Sequence, residues 1–590
     1  MARETAADSG IRYTVSLAER EQHLVHVTLE IPAGPPEHDL QLPVWNALYQ
    51  IRDFSQYVQW VRAEDRAGHP LPLELINKSR WHVSETENGA RIEYEVVADN
   101  AGPYGAQLNT QHAFFNLAEV LMYPVDSRAA PVLLNFTEIP SGWHIAAALT
   151  SPSKNEFTAG NYDLLVDAPV EIGKFRERDF DEGGGRYRIV VDADPTDYDM
   201  DKLASTVRSI VTAATNWMQD RPFETYLFLY HFPRGPAGGG MEHAYSTAID
   251  VNASGLREDP LALPSVTAHE FFHLWNVKRI RPRALEPVDY TRENYTNALW
   301  FCEGVTSTVE DYILLQAGLL DPPHYFDRLA GEMAELERRP AHLTQSAEAA
   351  SLDAWLEKYP AYLLPNRSIS YYNKGDLLGV LLDLTIRDAS HGTASLRDLF
   401  QWMNQNYARQ GRFFPESDGV REAAEAVSHV NLDSFFRQYV AGTEETPWDK
   451  FFASVGLRAV SHETVSADLG FYAVRNSDLP PVVSSLDPSG GAAAAGLAVG
   501  DALLEIDRHV TSSDFLQQLA QVHPGDTLRL RIRRGADERD LSWQVGSSHS
   551  IDYELRDLDV VTPEEQARRA AWLSGRDQPA GEAPRGVPQR

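Results

Sequence analysis

The 590-residue sequence predicts a multidomain α+β protein, with an amino-terminal antiparallel β domain, a mainly helical middle domain and a small carboxy-terminal β domain. Three observations carry this reading. Residues 11–167 alternate apolar and polar side chains with a period of two, broken by Pro, Gly and Asn, the pattern of strands in an antiparallel sheet. From about Asp201 to Val455 the apolar spacing lengthens to that of helices. From about Glu463 to Val545 short strands return.

The elements follow in order. Segments 13–17, 25–31 and 91–97 are the clearest alternating strands of the first domain, assigned to residues 10–168. In the second domain, residues 169–455, positions 202–218 predict a helix and 225–232 a buried strand. Positions 294–316 and 374–388 predict long helices. The third domain, residues 456–550, places short strands around the loop 488–496, rich in Gly and Ala. Residues 551–590 comprise a short helix and a disordered tail. The helix is announced by Thr562 as cap, Pro563 in the first turn and Glu565 at the capping-box position. The mixture of Gly, Pro, Arg and Gln after Ser574 lacks the apolar content a packed segment needs.

Composition excludes several functions. The 85 acidic residues outnumber the 53 basic ones, for a formal charge of −32. Nucleic acid and anionic membrane surfaces both need a basic footprint, so neither is an expected partner. Cys302 is the single cysteine, which excludes a disulfide within the chain. No run of about 18 apolar residues occurs that could span a membrane. Residues 1–10 lack the apolar segment of a signal peptide, so the expected location is the cytoplasm. The oligomeric state is not legible.

The chemistry centres on His269-Glu-Phe-Phe-His273. Residues four apart on a helix share a face, so both imidazoles can reach one metal ion. Glu270 then stands beside that ion as a candidate general base, and Pro264 and Ser265 supply helix-start signals just upstream. A catalytic zinc site needs a third protein ligand and an open position. Glu303 suits the third place. It lies 30 residues past His273 among Leu299, Trp300, Phe301, Cys302 and Val305, where an unpaired carboxylate would be costly to bury. Cys302 reads as a small buried hydrophobe rather than a ligand.

These residues carry a family resemblance. A His-Glu-x-x-His motif followed by Glu-Gly on a later helix resembles the gluzincin metallopeptidases. The longer run from His269 to Pro282 resembles the signature of the M61 peptidases, the glycyl aminopeptidase family. Gly239-Gly-Met-Glu-His243 resembles the Gly-x-Met-Glu-Asn exopeptidase motif of the related M1 aminopeptidases, and Tyr371-Tyr-Asn-Lys-Gly375 resembles their Tyr-x-Lys-Gly segment. Leu42-Pro-Val-Trp45 with Ile51-Arg-Asp-Phe54 resembles part of the M61 amino-terminal domain.

The resemblance implies a thermolysin-like catalytic domain with one zinc ion per chain, held by His269, His273 and Glu303. It implies peptides as substrates, attacked by water that zinc activates and Glu270 deprotonates. Tyr372, with Tyr371 as its rival, would donate a hydrogen bond to the tetrahedral oxyanion. Glu242 would meet the substrate's α-ammonium, with Gly239, Gly240 and Met241 on an edge strand beside the peptide. Lys374 reads as structural.

Asp468-Leu-Gly-Phe471, with the later segments 490–497 and 499–506, resembles a PDZ domain. In such domains the loop here formed by Leu469, Gly470 and Phe471 offers N–H groups to a peptide carboxy terminus. A module that only packs, with no ligand, is the alternative.

Segment 46–50 departs from the Thr-Pro-Gly-Ser-Tyr stretch of M61 sequences, and Thr308-Val309 replaces an aromatic pair. Both departures bear on the substrate pocket. The basic cluster Lys278, Arg279, Arg281 and Arg283 reads as a solvated or salt-bridged face. The expected activity is removal of small amino-terminal residues such as Gly or Ala. A PDZ-guided zinc endopeptidase and an inactive peptide-binding scaffold are the rival readings.

Overall fold

The computed structural model describes residues 10–46, 49–357, 365–475, 479–511 and 514–575. The tail expected after Ser574 lies outside the described residues from position 576 onward. Two compact units emerge. The first comprises residues 1–326, 339–458 and 557–590, the second residues 327–338 and 459–556.

In the first unit the period-two segments become strands, as alternation requires. A seven-stranded sheet runs, in spatial order, Thr150–Ser153, Glu156–Ala159, Val132–Thr137, Ile11–Glu19, Leu24–Ile31, Ala90–Val97 and Val58–Glu64. Two four-stranded sheets accompany it. One pairing departs from the antiparallel expectation. Ile11–Glu19 runs parallel to Val132–Thr137, a long-range partner that local sequence pattern does not encode. The inward residues Val15, Val27, Leu29, Ile92, Tyr94, Phe115 and Phe136 form one core, and Tyr290, from far along the chain, packs into it.

The middle region holds more sheet than its helical periodicity announces. Five strands stand in the order Arg176–Glu182, Gly185–Asp192, Thr225–His231, Ser246–Val251 and Gly238–Glu242. The three in the centre are parallel, and Gly238–Glu242 is an antiparallel edge. Ser246–Val251 is buried throughout, so no alternation marks it, and Gly238–Glu242 is too glycine-rich to read as a strand. The helix Met200–Met218 begins two residues before the predicted 202 and ends where predicted. Asp199 caps it by accepting from the backbone N–H groups of Asp201 and Lys202.

The helix expected over 294–316 starts only near position 300, as Trp300–Val305 followed by Thr306–Ala317. Side chains divert the preceding residues. Asn294 brackets the backbone of Asp289, and Glu416 accepts from Thr296 Oγ1 and the Asn297 N–H.

The second unit is a small β module. Its sheet runs Phe471–Val474, Val482–Leu486, Ala502–Ile506, Thr527–Arg534 and Asp537–Gln544 over a core containing Leu503, Leu528, Ile532, Phe515 and Trp543. The segment read as a Gly/Ala loop contains one helical turn, Gly491–Ala494.

The last helix, Pro563–Ser574, belongs to the first unit. Its capping box is formed: Thr562 Oγ1 accepts from the Glu565 N–H at 3.2 Å, and Glu565 returns the bond at 2.8 Å. Trp572 is fully buried. Its Nε1–H donates to Tyr312 Oη at 2.9 Å, and its ring meets Tyr325 and Phe326. Trp572→Ala would empty a large buried volume and remove the donor that the Tyr312 hydroxyl accepts from, leaving that hydroxyl its bond to Asp383. The expected loss is about 3–5 kcal/mol of unfolding free energy, read from the midpoint of denaturant unfolding.

Candidate functional site

The helix Ala262–Phe272 carries the His-Glu-Phe-Phe-His segment, and the two phenylalanines set its orientation. Phe271 packs on the sheet side against Tyr226 and Phe228, with ring centroids 5.0 and 5.7 Å away. Phe272 meets Trp217 at 5.5 Å and Phe400 at 5.2 Å. With these sides anchored, His269 and His273 share the remaining face. His273 stands at the C-cap, its N–H still bonded to the His269 carbonyl.

Glu303 reaches the same point from Trp300–Val305, where the helix is wound in the wider π form common at functional sites. Two glycines make the approach possible. A Cβ on Gly375 would lie 2.1 Å from the Trp300 carbonyl oxygen, and one on Gly304 would lie 2.4 Å from the Gly375 Cα. The Trp300–Val305 segment therefore meets the helix Tyr371–Ala389 backbone to backbone. That contact fixes Glu303 and Tyr372 in one place.

The Nε2 atoms of His269 and His273 stand 3.6 and 3.4 Å from Glu303 Oε2. All three residues are buried. The opposite ring nitrogens are engaged elsewhere. His273 Nδ1–H donates to the Asn276 carbonyl at 2.6 Å, and His269 Nδ1 lies 3.3 Å from Glu310 Oε2. Such outer partners orient imidazoles towards a shared ion, so the donor set fits a divalent metal. Neither Asn276 nor Glu310 was picked out from sequence. Glu310 had a signal: seven residues after Glu303, it falls on the same helical face.

Burial pushes the Glu270 carboxyl up to about 7, against the pull of His273 and His269; Glu242 and Glu303 add to the rise. Burial also acts to raise Glu303, but the adjoining His273 and His269 hold it below the usual carboxylate range. Burial raises the Cys302 thiol, in keeping with its reading as a buried hydrophobe.

Glu242 ends the edge strand Gly238–Glu242. Carboxylate oxygens of Glu242 and Glu270 and a ring nitrogen of His273 lie within 4.8 Å of one another. The glycines before it make room for the protein's own side chains. A Cβ on Gly240 would strike the Glu270 carboxylate at 2.5 Å, and one on Gly239, at φ +113°, would strike Tyr104 Oη at 2.3 Å. The expectation that these glycines serve close approach of substrate is thus altered: Glu270 and Tyr104 fill that space. Met241 is buried with its sulfur 3.3 Å from Asn116 Nδ2, so its side chain packs rather than lining the edge.

His243, which stands where the M1 motif has Asn, is buried with Nδ1 3.5 Å from Asp167. Asp167 also accepts from Lys278 Nζ at 2.7 Å and from the Ala244 N–H at 2.9 Å. Burial opposes ionisation there, but Lys278 and His243 hold the Asp167 carboxyl well below its usual range. The basic cluster is therefore largely a set of internal braces. Arg279 donates to the carbonyls of Leu274 and Pro222, Arg281 pairs with Glu286, and Arg283 is exposed.

Tyr372 lies beside the metal-ligand candidates, its ring centroid 6.1 Å from that of His269. Tyr371 is fully buried and stacks on Tyr372 at 4.9 Å. Thr308 and Val309 are buried, and Thr308 Oγ1 donates to the Asp376 carbonyl, so this departure serves helix packing.

In the second unit, Leu469 and Gly470 precede the edge strand Phe471–Val474, and Phe471 is part of the core. Gly470, at φ +74°, gives its N–H to Asp468 Oδ1 at 3.0 Å. That donor is thus engaged within the loop rather than offered to a peptide carboxylate.

Comparison with known proteins matches these regions. Residues 12–174 match the Peptidase M61 N-terminal domain, residues 262–378 the M61 glycyl aminopeptidase model and residues 467–545 a PDZ domain. A crystal structure of an aminopeptidase N family protein from Idiomarina loihiensis superposes with a TM-score of 0.86 at 25% identity, covering 95% of this chain and all of that one. An M1 zinc metallopeptidase from Deinococcus radiodurans aligns over 74% of this chain and 94% of its own at 15% identity and a TM-score of 0.45. A probable periplasmic serine endoprotease DegP-like from Halomonas elongata is 34% identical over 95 residues, 16% of this chain and 20% of its own length. With its matches in this order and a structural likeness spanning nearly its whole length, the chain resembles the M61 glycyl aminopeptidases over residues 12–174 and 262–378.

Proposed function

We propose that this chain is a zinc aminopeptidase that hydrolyses the first peptide bond of peptides, favouring small amino-terminal residues such as Gly or Ala. The observation that carries the reading is a concentration of acid. The buried Glu270 and Glu303 and the half-buried Glu242 gather around His269 and His273, and so many carboxylates in one site call for cationic occupants. A dication between the histidines and Glu303 is one, and the α-ammonium of a substrate at Glu242 is the other.

His269, His273 and Glu303 would hold the zinc ion, which supplies Lewis-acid activation of water and carbonyl. Glu270 takes the proton from the attacking water and returns it to the leaving amine. Its raised pKa suits a group that must both accept and release a proton near neutrality. Tyr372 donates its phenolic hydrogen to the oxygen that gains charge. Glu242 accepts from the substrate's ammonium and so sets which bond is cut.

Crowding from the amino-terminal strands supports the preference for small residues. Tyr104 lies against Gly239, and Tyr49 is buried within electrostatic reach of Glu303 and Glu242. The PDZ module, with Leu469, Gly470 and Phe471 at the head of its edge strand, is assigned peptide recruitment.

Metal and chemistry separate experimentally. His269→Ala, His273→Ala and Glu303→Ala should each lose bound zinc and activity together. Glu270→Gln should keep zinc, measured by atomic emission, while turnover falls by about 10²–10⁴-fold. Wild-type turnover in Glu270→Gln would remove the base assignment.

The aminopeptidase reading is tested with paired substrates. A free alanyl or glycyl peptide should be cleaved and its N-acetyl form ignored, because acetylation removes the ammonium that Glu242 receives. Glu242→Ala should lose most activity on the free peptide and retain its zinc. Equal rates on free and acetylated peptides would replace this reading with the PDZ-guided endopeptidase.

A further inference from the structure

A second knot of imidazoles and carboxylates lies where the amino-terminal strands meet the five-stranded sheet. In that sheet, Asp192, His231 and Asp250 fall at or next to the ends of three adjacent parallel strands. Their registers place Asp192 beside His231 and His231 beside Asp250. In-register neighbours point to the same face. Opposite them, His112 opens the strand His112–Phe115, and Glu171 lies in its antiparallel neighbour Val170–Gly173. Residues from five strands thus converge on one spot, and none of them belongs to the His269–His273–Glu303 set.

The contacts have a definite polarity. His231 Nδ1 faces Asp250 Oδ1 at 2.9 Å, and His112 Nε2 faces Gln107 Oε1 at 3.0 Å. Both are oxygen acceptors, so each of these outer nitrogens carries its hydrogen. The inner nitrogens face carboxylates as well. His231 Nε2 lies 3.0 Å from Glu171 Oε2, and His112 Nδ1 lies 3.3 Å from Glu171 Oε1 and 2.9 Å from Asp192 Oδ2. A neutral imidazole with its outer hydrogen so placed presents a lone pair inward, and a lone pair against a carboxylate is repulsive unless a second proton or a metal cation stands between them. Glu171 is fully buried and Asp250 nearly so, which sharpens that need. The arrangement repeats that of the first site, where outer partners orient two imidazoles and the inner nitrogens turn to a shared carboxylate. Two imidazole nitrogens and a carboxylate, His112, His231 and Glu171, lie close enough together for one ion and form an ordinary donor set for zinc. His112 and Asp192 keep 15% and 29% side-chain exposure, which gives an ion a way in.

We propose that His112, Glu171 and His231, with Asp192 beside His112, hold a second divalent cation of the zinc type, which ties the amino-terminal strands to the catalytic sheet. Asp250 and Gln107 orient the two rings. The ion is structural: its ligands come from strands of both sheets, and none of them belongs to the His269–His273–Glu303 set.

The experiment counts metal in the full chain after zinc loading and removal of excess. The wild type should carry two zinc ions and the His269→Ala/His273→Ala variant one. In that double variant, chelation should lower the melting temperature and zinc should restore it. Cobalt in place of zinc should give the visible absorption of a tetrahedral site. Adding His231→Gln or Glu171→Gln should abolish the remaining ion and the cobalt bands. A folded His269→Ala/His273→Ala chain with no zinc, and a melting temperature indifferent to chelator, would overturn the proposal in favour of two imidazoliums held by ion pairs. A folded triple variant that kept its zinc would overturn the ligand assignment too. Because the count is made without the first site's histidines, neither result depends on the aminopeptidase reading.

Discussion

Three ionisable side chains, His269, His273 and Glu303, are forced together almost without solvent, and much of the first unit is arranged to hold them there. Charges removed from water must be compensated by partners of good geometry. The chain provides these in successive layers. Asn276 and Glu310 orient the rings, Asn276 in turn donates to the Phe301 carbonyl and Thr306 Oγ1, and Phe271 and Phe272 lock the helix. The Gly304–Gly375 contact brings Glu303 in. Any side chain at either glycine would push the two segments apart, and Glu303 with them.

The amino-terminal strands are part of this construction rather than an appendage. Tyr290 is buried in their core, Trp45 donates to the Asp289 carbonyl at 2.7 Å, and Tyr104 fills the space beside Gly239. Asp167, at the end of that region, is the common acceptor for Lys278, His243 and the backbone after Glu242. One carboxylate thereby couples the turn after the helix Ala262–Phe272 to the edge strand that carries Glu242. An acidic side chain in that place does by ion pairing what apolar packing could do only with less directional control.

The same economy explains the departures from related motifs. His243 replaces an asparagine, yet it turns inward to Asp167 and leaves Glu242 in place. Thr308 and Val309 replace aromatic residues, yet they are spent on contact with the helix Tyr371–Ala389. Substitutions at positions whose side chains face the interior change packing partners and leave the acidic pocket as it is.

The sequence by itself determined the order of strand-rich, helical and strand-rich regions, the capped helix at Thr562, and the helical face that His269 and His273 share. Each rests on neighbours within a turn or two, where periodicity and capping operate directly. Glu303 was legible because a carboxylate among large apolar residues must find a partner. The parallel pairing of Ile11–Glu19 with Val132–Thr137, the glycine edge strand, the roles of Glu310 and Asp167, and the meeting of His112 with His231 were decided only by the tertiary structure. These contacts join residues brought together by sheet register and helix packing. A buried polar side chain acquires its meaning from what the fold sets opposite it, and nothing within a turn of it in sequence carries that information.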